Sequence, residues 1–259
     1  RDSIRVDWRS SGELMISPLD DVDERRTELI IQINHLPEGA LYDHLMGAYI
    51  SGVQDILVLS DTPLSRQSRS VIRRFLRSTR GFEIGEQDDL STRLISLLNA
   101  GELPLNASLN RMYLLLSSLV RDILEVLGGG DEEIILDHEE REREVDGLQY
   151  LIERQVGSML SSSQIAKSLG LSRKQGVENA NLARSLERMM DHANQIAKLT
   201  LEADSIPKLS SQEMPLSILP IWLDSIKSLM INLRVKDAHQ IEEARNSLKE
   251  AQLELEKHE

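Results

Sequence analysis

Four carboxylates carry the chemistry that this sequence most plainly offers. Glu142 and Asp146 form one Glu-x-x-x-Asp pair, and Glu187 and Asp191 form another. On a helix that spacing puts both acids of a pair on one face. The second pair borders an apolar stripe through Leu182, Leu186, Met189, Met190, Ala193, Ile196 and Ala197, whose period is close to that of an α-helix. The first lies on a seam through Ile135, His138, Glu142, Val145, Gln149 and Ile152, where Glu142 stands in place of an expected leucine. If the two helices pack antiparallel through these faces, the four carboxylates converge. Burying even one unpaired carboxylate costs several kcal/mol, so such a cluster requires cations. Arg141, Arg143, Arg184 and Arg188 are close enough in sequence to supply them. A metal ion is the other source, and all-oxygen donors favour Mg, Mn, Ca or Fe(III) over Zn or Cu. Spacing alone leaves both open. His138, one turn before Glu142, is a weaker further ligand. His192 points about 100° away from Asp191 and reads as a cap or surface residue.

Catalysis is disfavoured. Paired carboxylates can run acid–base or metal-assisted hydrolysis, and di-iron bundles use Glu-x-x-His. Neither carboxylate helix has a Glu-x-x-His in that spacing, and the sequence holds no P-loop, nucleophile elbow or dinucleotide fingerprint.

The runs Glu142-Arg-Glu-Val-Asp146-Gly-Leu-Gln-Tyr-Leu-Ile152 and Ala183-Arg-Ser-Leu-Glu187-Arg-Met-Met-Asp191-His-Ala193 resemble the PhoU family of phosphate-uptake regulators over roughly residues 105–204. The resemblance implies antiparallel three-helix repeats whose Glu-x-x-x-Asp motifs bind metal, here through Glu142, Asp146, Glu187 and Asp191. It further implies a non-enzymatic regulator that restrains phosphate transport or signalling through a protein partner, a phosphate transporter or a signalling component. The family often has Asn four residues after the Asp. This chain has Gln195 there and Asn194 one place earlier, which leaves the amide's role open.

Composition sets the wider frame. The 259 residues carry a net charge of -13, which argues against nucleic-acid binding by the whole surface and leaves room for a local basic patch. Hydrophobic residues make up 40% and aromatics 3%, so the cores must be largely Leu, Ile, Val and Met, as suits helix packing. There is no cysteine, hence no disulfide or thiolate metal site, and the cytoplasm is the expected compartment. No apolar run approaches the ~20 residues of a membrane span. The sequence opens on Arg1 rather than methionine, as a segment of a longer chain would.

The fold expected is α+β and mainly α. Residues 1–19 alternate through Ile4, Val6 and Trp8, turn at Ser10-Ser11-Gly12, and continue through Leu14 and Ile16, which predicts a β-hairpin. It resembles the C-terminal hairpin of an AbrB/SpoVT-type DNA-binding domain, whose N-terminal half would then be missing. After a charged linker, residues 27–99 read as a small β-α-β-α-β-β domain, with Thr62 as N-cap and Pro63 in the first turn of its second helix. On that helix Val71, Ile72, Phe75 and Leu76 form the buried side, while Arg66, Arg69, Arg73, Arg77 and Arg80 follow 3- and 4-residue steps along the other. Such a row either is a solvated or paired face, or holds an anion, nucleic-acid phosphate or an acidic partner.

Residues 104–259 predict the helical bundle. One repeat covers 104–204: a helix over 105–127, the break Gly128-Gly129-Gly130, an acidic helix capped by Asp131, and a third helix from about 176. The run Ser163–Lys174 between them resembles a helix-turn-helix weakly, because Gly176 stands where a packing residue is expected. Residues 209–259 supply only two helices of a second repeat. Counted from Asp131 and Asp237, Leu248 and Gln252 replace Glu142 and Asp146, so that repeat has no carboxylate site. Another subunit closing the unfinished bundle would make a homodimer. The rival function is a DNA-binding transcriptional regulator using the hairpin and the arginine-rich helix.

Overall fold

A computed structural model describes residues 4–8, 14–18, 28–98, 101, 103–202 and 213–258. These residues form two compact units: one combines the segment up to Leu105 with Gly147–Asn181, the other combines Asn106–Asp146 with Leu182–Glu259.

In the first unit, β1 (Ile4–Trp8) pairs antiparallel with β2 (Leu14–Pro18), Val6 opposite Ile16 and Trp8 opposite Leu14. Val6, Leu14 and Ile16 are exposed. The Ser10-Ser11-Gly12 turn and the charged linker lie outside the described residues.

The predicted β-α-β-α-β-β order is then found as β3 (Glu28–Gln32), α1 (Leu41–Ile50), β4 (Asp55–Leu59), α2 (Arg66–Ser78), β5 (Phe82–Gln87) and β6 (Ser91–Ser96). The sheet order is β3-β4-β6-β5. β3 and β4 run parallel because α1 provides the crossover, and the other pairs are antiparallel. Register puts Ile31, Ile56, Val58, Leu94 and Phe82 on one face, buried with Leu45, Tyr49, Ile72 and Phe75 of the two helices. Tyr49, Phe75 and Phe82 meet edge to face with centroids 5.6, 5.7 and 6.1 Å apart, so this core takes both phenylalanines of an aromatic-poor chain. Thr62 does not cap α2. The Leu64 amide donates to the Asp89 carbonyl at 2.7 Å, which holds that stretch against the β5–β6 turn, and Ser65 caps the helix by accepting from the Ser68 amide.

The C-terminal half of α4 (His138–Ser161) belongs to the same unit and brings an unexpected buried cation. Arg154 is 4% exposed. Its Nη1 donates to the carbonyls of Tyr49 and Val53, both at 2.8 Å, and its Nη2 to Ser96 Oγ at 3.3 Å. The guanidinium also lies 4.9 and 5.0 Å from the Tyr49 and Phe82 ring centroids. Carbonyl dipoles and aromatic faces thus take the place of a carboxylate. One turn on, Gly157 lets the Ile50 carbonyl approach so closely that a Cβ would sit 2.4 Å from its oxygen. After α5 (Ser163–Ser168), Gly170 turns the chain at φ 65° into α6 (Arg173–Glu202), where Ser172 and Gln175 cap each other's amides. The Ser163–Lys174 run is therefore the connector into a 30-residue helix. Gly176 faces Met159, whose Sδ would be 2.5 Å from an added Cβ.

In the second unit, α3 (Leu105–Leu127) ends where predicted. Gly129, at φ 98°, donates to the Val126 carbonyl and Gly130 to that of Glu125, the hydrogen bonds of a Schellman ending. Asp131 does cap, but it caps a 3-10 turn over Glu132–Ile135; the acidic α-helix starts later, at His138, and runs to Ser161. Arg111 pairs with Glu144 and Arg141 with Asp122, so α3 and α4 run antiparallel. The His138–Asn194 hydrogen bond sets α6 antiparallel to α4 in turn.

α7 (Ile218–Val235) and α8 (Ala238–His258) form a hairpin that reverses at Lys236, φ 57°. Asn232 accepts from the Asp237 amide and donates to Gln240 across it. With the helix starts now at Asp137 and Asp237, the comparison between repeats moves: Glu242 and Asn246, not Leu248 and Gln252, stand in register with Glu142 and Asp146. Glu242 pairs with Arg245, and Asn246 is exposed.

Two glycines of the first unit test the packing. Gly157→Ala must displace the Ile50 carbonyl and is expected to cost about 1–3 kcal/mol. Gly47→Ala, in α1 with nothing within 4 Å, is expected to stabilise by about 0.5–1 kcal/mol. Chemical denaturation of both variants reads the contrast; equal effects would contradict the close approach.

Candidate functional site

The antiparallel register of α4 and α6 brings carboxylates together as the two motifs require. Each of Glu142, Asp146 and Asp191 has an oxygen within 4.8 Å of the others. Glu142 and Asp146 are half-buried and Asp191 is exposed. Glu187, also half-buried, stands outside this group of three, yet near enough for its charge to act on Asp146. Val145, Leu186, Met190 and Ala193 are buried on the same two helices and make the surroundings apolar.

The electrostatics follow from that placement. Burial, then the charges of Glu142, Glu187 and Asp191, push the Asp146 carboxyl from its ordinary 3.8 up to about 7. Glu142 is raised as well, first by burial and then by Asp191, with Arg143 and His138 opposing. Burial and neighbouring negative charge thus both disfavour ionisation of Glu142 and Asp146.

The local arginines leave the Asp146 carboxyl raised. Arg141 is engaged elsewhere, by Asp122 at 2.5 Å, Asp137 at 2.8 Å and the Ile134 carbonyl at 3.1 Å. Arg143 donates to the Glu139 carbonyl from an exposed position, and Arg184 and Arg188 are exposed. Among the described residues no arginine or lysine forms an ion pair with Glu142, Asp146 or Asp191. The donor set fits a hard cation. Oxygens on one ion with bonds of ~2.0–2.6 Å lie within about 5 Å of each other, and these three satisfy that limit.

The histidines and the amide sort themselves differently from the sequence reading. His138 is buried, and its Nδ1 meets Asn194 Oδ1 at 2.5 Å; it falls outside the carboxylate group rather than joining it as a ligand. His192 is exposed, as expected. Gln195 faces solvent, so Asn194 is the amide that matters, clamping α6 to the first turn of α4. Asn194 lies four residues after buried Met190 and three before buried Ala197. That seam position is the signal that identifies it.

The arginine row of α2 is divided. Arg66, Arg73 and Arg77 are exposed. Arg69 is half-buried, its Nε donating to the Leu64 carbonyl and its Nη2 reaching Asp89 at 3.5 Å. Arg80 lies beyond the end of the helix, where its backbone meets the Tyr49 hydroxyl. Arg74 sits 4.2 Å from the Tyr42 ring centroid.

Residues 109–200 match the PhoU domain. The matched span runs from α3 into α6 and contains all four carboxylates, while the β1–β2 hairpin, the four-stranded sheet and the α7–α8 hairpin lie outside it. PhoU domains mark a family of phosphate-homeostasis regulators rather than enzymes. No curated protein and no solved structure matches the chain. Among the described residues no helix is long and apolar enough to cross a membrane.

The raised Asp146 carboxyl gives a pH test on metal-free protein. Between about 4 and about 7 the folded chain holds a proton that the unfolded chain has released. This contribution to stability is therefore full below the unfolded value and is lost as pH rises through the folded one. Asp146→Asn removes it. In chelator, the melting temperature of the variant minus that of wild type is expected to increase as pH goes from about 5 to about 8. A difference that stays flat over that range would show the carboxyl to be unperturbed.

Proposed function

We propose that the chain is a cytoplasmic, non-enzymatic regulator of phosphate homeostasis whose carboxylate cluster holds metal and whose bundle then engages a protein partner, a phosphate transporter or a signalling component. The observation that carries the reading is a group of three acids, drawn together from two helices of a PhoU domain, without an arginine or lysine paired to any of them. Glu142, Asp146 and Asp191 would hold the ion, and Glu187, one turn along α6, would add its charge. Oxygen donors alone favour Fe, Mn, Mg or Ca over Zn. An ion there supplies positive charge between α4 and α6; the residues themselves fix the register in which it is met, through the Asn194–His138 clamp and the apolar seams on either side. The inhibition of transport or signalling that the family implies would act through the surface of this stiffened bundle. The DNA-binding alternative, with the AbrB-type reading of the hairpin, gains nothing from the PhoU match.

Elemental analysis decides the metal claim. Wild type incubated with Mn(II) or Fe(III) and then desalted is expected to retain metal, and Glu142→Gln/Asp191→Asn protein to retain at least about tenfold less, a loss of roughly 1.4 kcal/mol or more in binding. At free metal about 100 times the dissociation constant, wild type should also gain about 2.7 kcal/mol of stability. Equal, negligible metal in both proteins would end the claim.

A further inference from the structure

The two most lopsided stretches of charge in the sequence are α2 and the entry to α4. α2 has five arginines in 13 residues and no acid; residues 131–140 have six carboxylates and no lysine or arginine. Local structure absorbs part of each. Arg69 and Arg74 are held by Leu64, Asp89 and the Tyr42 ring, Asp131 caps the 3-10 turn, and Asp137 pairs with Arg141. Arg66, Arg73 and Arg77 remain, all exposed, and among the described residues none of them forms an ion pair. On the other side Glu132, Glu133, Glu139 and Glu140 are exposed and likewise form none among the described residues. Leu136, in the middle of that acidic run, is 63% exposed, a large apolar side chain among acidic sequence neighbours.

We propose that these two surfaces are partners: the arginine face of α2 in one copy of the chain docks on the acidic run 131–140 of a second copy. Charge complementarity within one sequence selects the occupant. Along α2, Arg66 to Arg77 spans about 16 Å at 1.5 Å per residue, long enough to meet charges on both turns of the acidic run. A two-fold arrangement makes the contact twice, because each copy gives its arginines and receives the other's. Nucleic acid is the poorer occupant: the chain is strongly acidic overall, and Phe75, the aromatic residue of α2, is buried and unable to stack on a base. The inference is independent of the metal reading, since none of these residues belongs to the carboxylate cluster.

Sedimentation velocity on the full chain tests it. Wild type is expected to be a dimer in roughly 20 mM salt and to shift toward monomer in about 500 mM, where charges are screened beyond a few Å. Arg73→Glu/Arg77→Glu protein and Glu132→Lys/Glu133→Lys protein should each be monomeric at low salt, since each faces like charge in its own homodimer. Mixed one to one they should re-form the dimer, because both contacts of the mixed pair are again complementary. All substituted positions are exposed, and circular dichroism confirms that each variant is folded. A wild-type monomer at low salt overturns the proposal. So does association that persists in high salt or survives both reversals, which would place the interface elsewhere, on the α7–α8 hairpin for instance. Failure of the mixture to dimerise overturns it too. Finally, wild-type binding to double-stranded DNA or to anionic lipid vesicles that Arg73→Glu/Arg77→Glu loses, in a chain that stays monomeric, reassigns the arginine face to that ligand.

Discussion

A carboxylate in the middle of a helix has no backbone donor to turn to. The amides around it are already bonded within the helix, and only the first turn has amides to spare. Glu142, Asp146, Glu187 and Asp191 all lie inside long helices, away from those first turns. The seams that hold α4 against α6 nevertheless bring these acids together, because Val145, Leu186, Met190 and Ala193 must be buried and the acids share their faces. Apolar packing therefore forces a convergence that electrostatics opposes. The upward push on Asp146 records how far the opposition goes. A proton relieves it partly, by neutralising one group. A multivalent cation relieves it more fully, since it serves several oxygens at once.

Arg154 shows the opposite solution on the same helix. A buried cation needs acceptors, and carbonyl oxygens are available wherever a helix or loop ends. Tyr49 and Val53 lie at and just past the end of α1, where their carbonyls accept from Arg154. The sequence provides the room: Gly157 and Ser158 beside Arg154 let α4 approach that loop at backbone distance, as the short gaps from Gly157 to Ile50 and from Gly52 to Ser158 show. The arginine on this helix is thus accommodated by the protein's own carbonyls, whereas among the described residues Glu142, Asp146 and Asp191 meet no such set of internal partners.

How much of this could be seen in the sequence depended on whether a feature is local. The β-α-β-α-β-β order, both ends of α3 and the pairing of Glu142 and Asp146 with Asp191 followed from periodicity and from a glycine triplet. Local chemistry misled where two residues were equally able to act. Asp131 has the side chain of a cap and does cap, but a 3-10 turn intervenes before α4. Thr62 is as good a cap as Ser65, and the choice between them is made by Leu64, whose amide is tied to Asp89, 25 residues away. Arg154 lies outside the Val145–Ile152 seam, where the sequence pattern alone predicts a surface residue. The small residues Gly147, Gly157 and Ser158 on its side of the helix were the available sign of a second, closer-packed face. Asn194 was weighed against Gln195 from a family pattern, while the seam through Met190 and Ala197 already marked it as the inward amide.

The Asn194–His138 hydrogen bond bears on the site more than either residue does as a ligand. It joins the first turn of α4 to a point one turn beyond Asp191, and so fixes the sliding register of two helices whose facing acids repel. A shift along either helix would move those acids apart and relieve the repulsion, at the expense of the seam. The buried imidazole loses its hydrogen bond to the half-buried amide if that shift occurs, and a buried polar group left unpaired costs about 1–3 kcal/mol. The clamp thus adds to the apolar seam in holding together acids that repel one another. Were a cation to bind between these helices, it would find the oxygens of Glu142, Asp146 and Asp191 already within 4.8 Å of one another.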